Sequence, residues 1–308
     1  MTQDLHELFS KCPTDAAVVD VSARDGLQSQ PVALSPETRA AWIRLLFEAG
    51  VPQVEAGSFV NPRRVPQMAG TGQVVRELES YAERIWVLVL NRRGLEEAAQ
   101  AGAKNIVCLV SATDSHSVSN QGRPVAAVLE ELSELAAEAV AAGLRCRAAV
   151  AMAWADPWEG EVPPERVVGI CRRLREMGFA EVTLCDTSGG ASPRDVAVLL
   201  RAVQGVYPAG AIGLHLHETQ GVASANVFVG LIEGVARFDA SLEGLGGCPF
   251  APGAPGNVDT KHLVRLLSSM GIRTGIDLDR LDRAAAACAE LLREAMYSET
   301  TRLGPGFL

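Results

Sequence analysis

The sequence predicts an α/β chain closed into a (βα)8, or TIM, barrel with additional C-terminal helices. Short β-branched runs alternate with longer helical stretches from Ala17 to Leu242, the pattern of a parallel sheet covered by helices. A length of 308 residues suits one large barrel or two ordinary domains. The first strand runs into Arg24-Asp25-Gly26, where an open doubly wound sheet would carry a glycine-rich phosphate turn. One catalytic domain over 1–308 is expected, with the barrel over about 16–258 and helices over about 259–300.

The elements follow in order. Ala17–Val21 reads as the first strand. Ser35 as N-cap, Pro36 at the first helical position and Gly50 as a stop predict a helix over Pro36–Ala49. Gln53–Ala56 is the second strand and Arg84–Leu90 the third, with a helix over Gly94–Ala101. Asn105–Val110 leads to an alanine-rich helix over Pro124–Ala142, and the polar stretch Ala112–Arg123 between them is expected as a loop over the barrel mouth. Arg145–Met152, Glu181–Cys185, Ala211–Leu216 and Phe238–Leu242 complete the strands. Their helices are Pro164–Met177, Pro193–Val206 and Ser224–Glu233, and further helices span Thr260–Met270 and Leu278–Tyr297.

Bulk chemistry removes some function classes. The formal net charge of −9 argues against non-specific nucleic-acid binding. No run of 18 apolar residues occurs and the N-terminus lacks an apolar core, so no membrane partner is expected. The seven cysteines are scattered without a C-x-x-C pair, which points to a reducing, cytoplasmic setting.

A barrel carries its active site at the C-terminal ends of its strands, so the polar residues there matter most. Arg24 and Asp25 follow strand one. Glu55 and Ser58 are placed after strand two, and Asn91 after strand three. Thr183, Asp186 and Thr187 end strand six. His215-Leu-His217 ends strand seven, and alternation puts both imidazoles on one side of it. Alone, that pair suits a metal site or ordinary core and surface histidines. Asp25 would add a carboxylate, giving a mixed nitrogen and oxygen set for Mg²⁺ or Mn²⁺ that also tolerates Zn²⁺ or Co²⁺. As a bland alternative, Asp25 is a turn residue before Gly26. Cys248 lies in a glycine- and proline-rich loop over Gly244–Asn257, either as an exposed proton donor or as an incidental free thiol.

These pieces together resemble the 3-hydroxy-3-methylglutaryl-CoA lyase family, within a larger group of metal-dependent barrel lyases and Claisen synthases. The resemblance runs from about Val19 to about Leu278. Its strongest stretches are Arg24-Asp-Gly-Leu-Gln28, Val54–Val60 with Val65-Pro-Gln-Met68, His215–Gly221 and the Gly244–Asn257 loop. It implies cleavage of a 3-hydroxy-3-methylglutaryl-CoA-like thioester to acetyl-CoA and a 3-oxo acid. Asp25, His215, His217 and Asn257 match the family's metal ligands. Arg24 matches the residue that holds the substrate carbonyl and developing enolate, with Glu55 supporting that centre and Cys248 as the catalytic thiol. His215 and Glu55 are the candidate bases for the hydroxyl proton. Gln28 belongs to the first matched segment, and with Asn91, Arg147 and Thr183 it is expected to contact substrate.

The sequence also departs from the family pattern. A lysine that reaches the coenzyme A phosphates is often found just beyond the Arg-Asp-Gly-Leu-Gln segment, but Ser29-Gln30-Pro31-Val32 offers no base. Ala149 stands where a tyrosine is expected, and Met152–Trp158 replaces a smaller, cysteine-containing run, with Trp154 expected either to refill the space or to line the acyl pocket. Glu218 replaces an aspartate. The chemistry is therefore expected to be kept while the acyl group, carried on coenzyme A or on a carrier protein, differs. Two alternatives stand beside this: a Claisen-type synthase or aldolase, and a non-catalytic metal- or acyl-binding protein. A homodimer through the C-terminal helices is an expectation by analogy.

Overall fold

The computed structural model describes residues 9–247 and 256–303, the side chains of 298–303 excepted. Eight parallel strands close in the order β1-β10-β9-β8-β5-β4-β3-β2. They are β1 (Ala17–Asp20), β2 (Gln53–Phe59), β3 (Ile85–Val89), β4 (Asn105–Ser111), β5 (Arg145–Ala151), β8 (Glu181–Asp186), β9 (Ile212–Leu216) and β10 (Arg237–Ala240). A short hairpin, β6 (Ala155–Asp156) and β7 (Gly160–Glu161), lies outside the barrel.

The covering helices are α1 (Pro36–Glu48), α2 (Thr71–Glu77), α3 (Arg92–Ala101), α4 (Asp114–Gln121), α5 (Val125–Ala141), α6 (Pro164–Glu176), α7 (Pro193–Val203) and α8 (Ala223–Ile232). Beyond the barrel come α9 (Thr260–Ser269) and α10 (Leu278–Leu303), and α10 packs on α1. Outward strand side chains such as Val18, Ile106, Val150 and Phe238 form the core with the helices, all essentially inaccessible to water. Among the described residues no helix is long and apolar enough to cross a membrane.

Three local expectations need correction. The Ala112–Arg123 stretch is not a loop but contains α4, which starts after Thr113 with Asp114 in its first turn and stops at the left-handed Gly122. Its polarity misleads because several of its residues face the cavity mouth and so form no apolar stripe. Strand two continues to Phe59, with an irregularity between Glu55 and Gly57. Glu55 therefore lies mid-strand inside the barrel and not after its end. A Cβ on Gly57 would sit 2.7 Å from Thr71 Oγ1, so glycine lets β2 pass that close to α2. The helix α2, seven residues long, is too short to announce itself by periodicity.

A buried polar knot sets the turn that leaves β1. Asp20 accepts from Ser22 N at 2.8 Å, Ser22 Oγ at 2.5 Å and Thr260 Oγ1 of α9 at 2.7 Å. Trp42 Nε1 of α1 donates to Ser22 Oγ at 2.8 Å. Val21 O then accepts from Asp25 N at 2.7 Å, and the wide turn Ser22–Gly26 aims Arg24 and Asp25 at the barrel axis. Burial pushes the Asp20 carboxyl up to about 6, despite these donors. Asp20→Ala leaves the donors without their acceptor and is expected to lower stability by about 2 to 4 kcal/mol. The urea unfolding midpoint measures it, and an unchanged midpoint would show that the turn is held by other means.

Candidate active site

A cavity of about 950 Å³ opens at the C-terminal mouth of the barrel and reaches down to Arg147. Small residues make the room. Ala149 and Ala151 line it on β5, and Gly213 on β9 lets the Arg237 guanidinium lie where a Cβ would be only 2.6 Å from Nε.

The floor is an ion-pair layer. Arg147 Nε donates to Glu181 Oε2 at 3.0 Å and its Nη2 to Gln53 Oε1 at 3.1 Å. Arg147 Cζ lies 3.8 Å from the centre of the Trp86 ring. Arg237 pairs with the same Glu181 oxygen and also donates to Thr183 Oγ1 at 3.4 Å. Thr183 and Arg147 line the cavity, but each is engaged in this layer.

Above the floor, Arg24 is clamped between two carboxylates. Its Nη1 donates to Asp25 Oδ1 at 2.5 Å and its Nη2 to Glu55 Oε2 at 2.7 Å. Burial pushes the Glu55 carboxyl above its usual value, and Arg24 offsets only part of that. Burial also acts upward on Asp25, but Arg24, His215 and His217 outweigh it and hold Asp25 at about 2. Glu55 Oε1 is buried without a hydrogen-bond partner.

The histidines converge beside this pair. His215 Nε2 and His217 Nε2 are 3.1 Å apart, and His215 Nε2 is 4.0 Å from Asp25 Oδ2. Asp25, His215 and His217 offer ligand atoms within 4.8 Å of one another. Asp239 Oδ2 sits 3.3 Å from His215 Nδ1. That contact favours the proton on Nδ1 and leaves Nε2 as a bare lone pair. Burial lowers the His215 pKa, but Asp239 and Asp25 outweigh it and the net shift is upward. Burial, and then the neighbouring His215, pull His217 down to about 4. Two imidazole nitrogens facing each other beside a carboxylate suit a shared cation, and the donor set fits a divalent one. Asn257 is brought alongside by a bridge to His217, and its Nδ2 donates to Asp25 Oδ2 at 2.8 Å. Gly246 passes directly over this contact, where a Cβ would lie 2.3 Å from Asn257 Nδ2.

Gln28 and Asn91 line the cavity, although Asn91 Oδ1 is occupied as the N-cap of α3, accepting from Gly94 N at 3.0 Å. Cys248 lies outside the described residues. Asp186 turns into its own loop, accepting from Gly190 N at 3.0 Å and Ala191 N at 3.1 Å. Trp154 neither refills the space beside Ala149 nor lines the cavity. It is packed into the outer core with Nε1 donating to Asp195 O at 3.1 Å. Asp239, Glu181 and Arg237 went unnoticed in the sequence. Their signal was alternation: in Arg237-Phe-Asp239 the charged residues share one face and Phe238 takes the other.

A family model described as HMGL-like matches residues 15–287. The (R)-citramalyl-CoA lyase of Chloroflexus aurantiacus is 40% identical over 299 residues, covering 94% of each chain. The hydroxymethylglutaryl-CoA lyase of Pseudomonas mevalonii is 40% identical over 282 residues, covering 91% of this chain and 94% of that one. The solved structure of an HMG-CoA lyase from Acinetobacter baumannii, in complex with coenzyme A and 3-methylmalate, superposes with a TM-score of 0.87 at 31% identity, covering 96% of each chain.

The floor makes its own prediction. Glu181→Gln leaves Arg147 and Arg237 buried without their shared counter-charge and is expected to cost about 3 to 5 kcal/mol. Urea unfolding measures the loss, and a loss below about 1 kcal/mol would mean that Glu181 does not hold the layer.

Proposed function

Because this chain belongs to the HMGL-like family and is a carbon–carbon lyase acting on coenzyme A thioesters, we propose that it cleaves a 3-hydroxy-3-methylglutaryl-CoA-like thioester to acetyl-CoA and an oxo acid. The observation that carries this reading is the meeting of Asp25, His215 and His217 beside the Arg24–Glu55 pair in one buried mouth.

Asp25, His215 and His217 would hold a divalent cation, Mg²⁺ or Mn²⁺ by the mixed donor set, with Asn257 joining through its amide oxygen once the amide turns. When bound, that cation supplies Lewis acidity to the substrate's carbinol oxygen. Asp239 positions His215 by taking its Nδ1 proton in a hydrogen bond.

Both ring nitrogens of His215 face other groups, so Glu55 is the better base for the hydroxyl proton. Its Oε1 is free, and burial has raised its proton affinity. As the proton leaves, the bond between the carbinol carbon and the carbon next to the thioester breaks. Its electron pair passes to the thioester oxygen as an enolate. Arg24 neutralises that growing charge, and Cys248 returns a proton to the enolate carbon to complete acetyl-CoA. The other fragment leaves as the oxo acid.

A second substrate reading is a citramalyl-CoA-like thioester, whose carboxylate sits directly on the carbinol carbon. The Chloroflexus relative favours it.

The test is to incubate the protein and Mg²⁺ or Mn²⁺ with each thioester and identify products by mass spectrometry. Acetyl-CoA is expected, with acetoacetate from the longer substrate or pyruvate from the shorter one reporting which is accepted. Glu55→Gln is expected to lower kcat by about 10²-fold or more. Failure to release acetyl-CoA from either thioester would overturn the reading, and an undiminished Glu55→Gln would remove Glu55 as the base.

A further inference from the structure

We propose that Arg64 binds the phosphates of the coenzyme A moiety and replaces the base missing from the β1–α1 segment. This rests on the acyl-coenzyme A reading above and adds the residue that reads the anionic end of the substrate.

Four cations line the cavity, and three of them are neutralised. Arg24 pairs with Asp25 and Glu55, Arg123 with Glu131 and Arg147 with Glu181. Arg64 alone has no carboxylate partner among the described residues, and it is exposed. A solvated, unpaired guanidinium at the edge of a cavity in a chain of net charge −9 is free to meet an anionic ligand.

Its position supports the assignment. The segment Ser29–Val32 carries no base. The β2–α2 connection that bears Arg64 is docked onto that same segment, with Gln67 Nε2 donating to Gln30 O at 2.8 Å. The turn is locally fixed, since Asn61 O accepts from Arg64 N at 2.9 Å. Arg64, Gln67 and Gln28 all line the cavity. A positive charge absent from one loop is thus supplied by the loop packed against it.

The experiment measures binding of coenzyme A, dephospho-coenzyme A and pantetheine by calorimetry, to wild type and to Arg64→Gln. Arg64 is exposed, so the variant is expected to keep the wild-type melting temperature. Wild type is expected to bind coenzyme A more tightly than pantetheine, and Arg64→Gln to weaken coenzyme A binding about tenfold. Pantetheine binding is expected to stay unchanged. Loss of discrimination at dephospho-coenzyme A would assign Arg64 to the 3′-phosphate, and retention there to the pyrophosphate. Equal coenzyme A affinity in variant and wild type overturns the proposal while leaving the lyase reading intact. No binding of coenzyme A by wild type overturns both.

Discussion

Arg24 lies between two carboxylates in a space where charge is costly. A guanidinium buried alone would be strongly disfavoured, and Asp25 and Glu55 would each tend to take up a proton if buried alone. Together they are tolerable, and their contacts at 2.5 and 2.7 Å tie the turn after β1 to the middle of β2. That clamp leaves Asp25 ionised beside the two imidazoles and keeps one Glu55 oxygen free. The polar knot at Asp20 sets the turn from behind, and the Arg147–Glu181–Arg237 layer closes the space below. The barrel interior therefore holds two stacked charge layers of opposite excess, two arginines on one glutamate below and one arginine between two carboxylates above, beside a small apolar cluster around Trp86.

Much of this was legible in the sequence because strand periodicity carries it. His215 and His217 at i and i+2 had to share a face, and Arg24-Asp25 directly after a strand had to sit at the barrel mouth. What stayed hidden depends on geometry that no local pattern encodes. The irregularity in β2 carries Glu55 deeper than its neighbours suggest. The helix α4 is polar because it faces a cavity, so it reads as a loop. Asp239 was readable in principle from alternation in β10, but one aspartate in a strand of four residues draws no notice without its partner His215.

The cavity wall explains why acyl specificity is separable from the chemistry. Ala149 leaves the wall beside the floor open, and Trp154 packs outward. The groups that would break the bond come from β1, β2 and β9, none of which pairs with β5. The acyl wall can therefore change without disturbing Arg24, Glu55 or the histidine pair. The relatives fit that separation, since proteins named for two different acyl thioesters match this chain at the same identity of 40%.

Asp25, His215 and His217 are proposed to form one cation site. Mn²⁺ titration followed by electron paramagnetic resonance tests it most directly. One bound Mn²⁺ per chain is expected, with nitrogen couplings from both imidazoles. In His217→Ala one coupling should vanish, and affinity should fall about tenfold or more. Mn²⁺ bound to His217→Ala with unchanged couplings and affinity would contradict it.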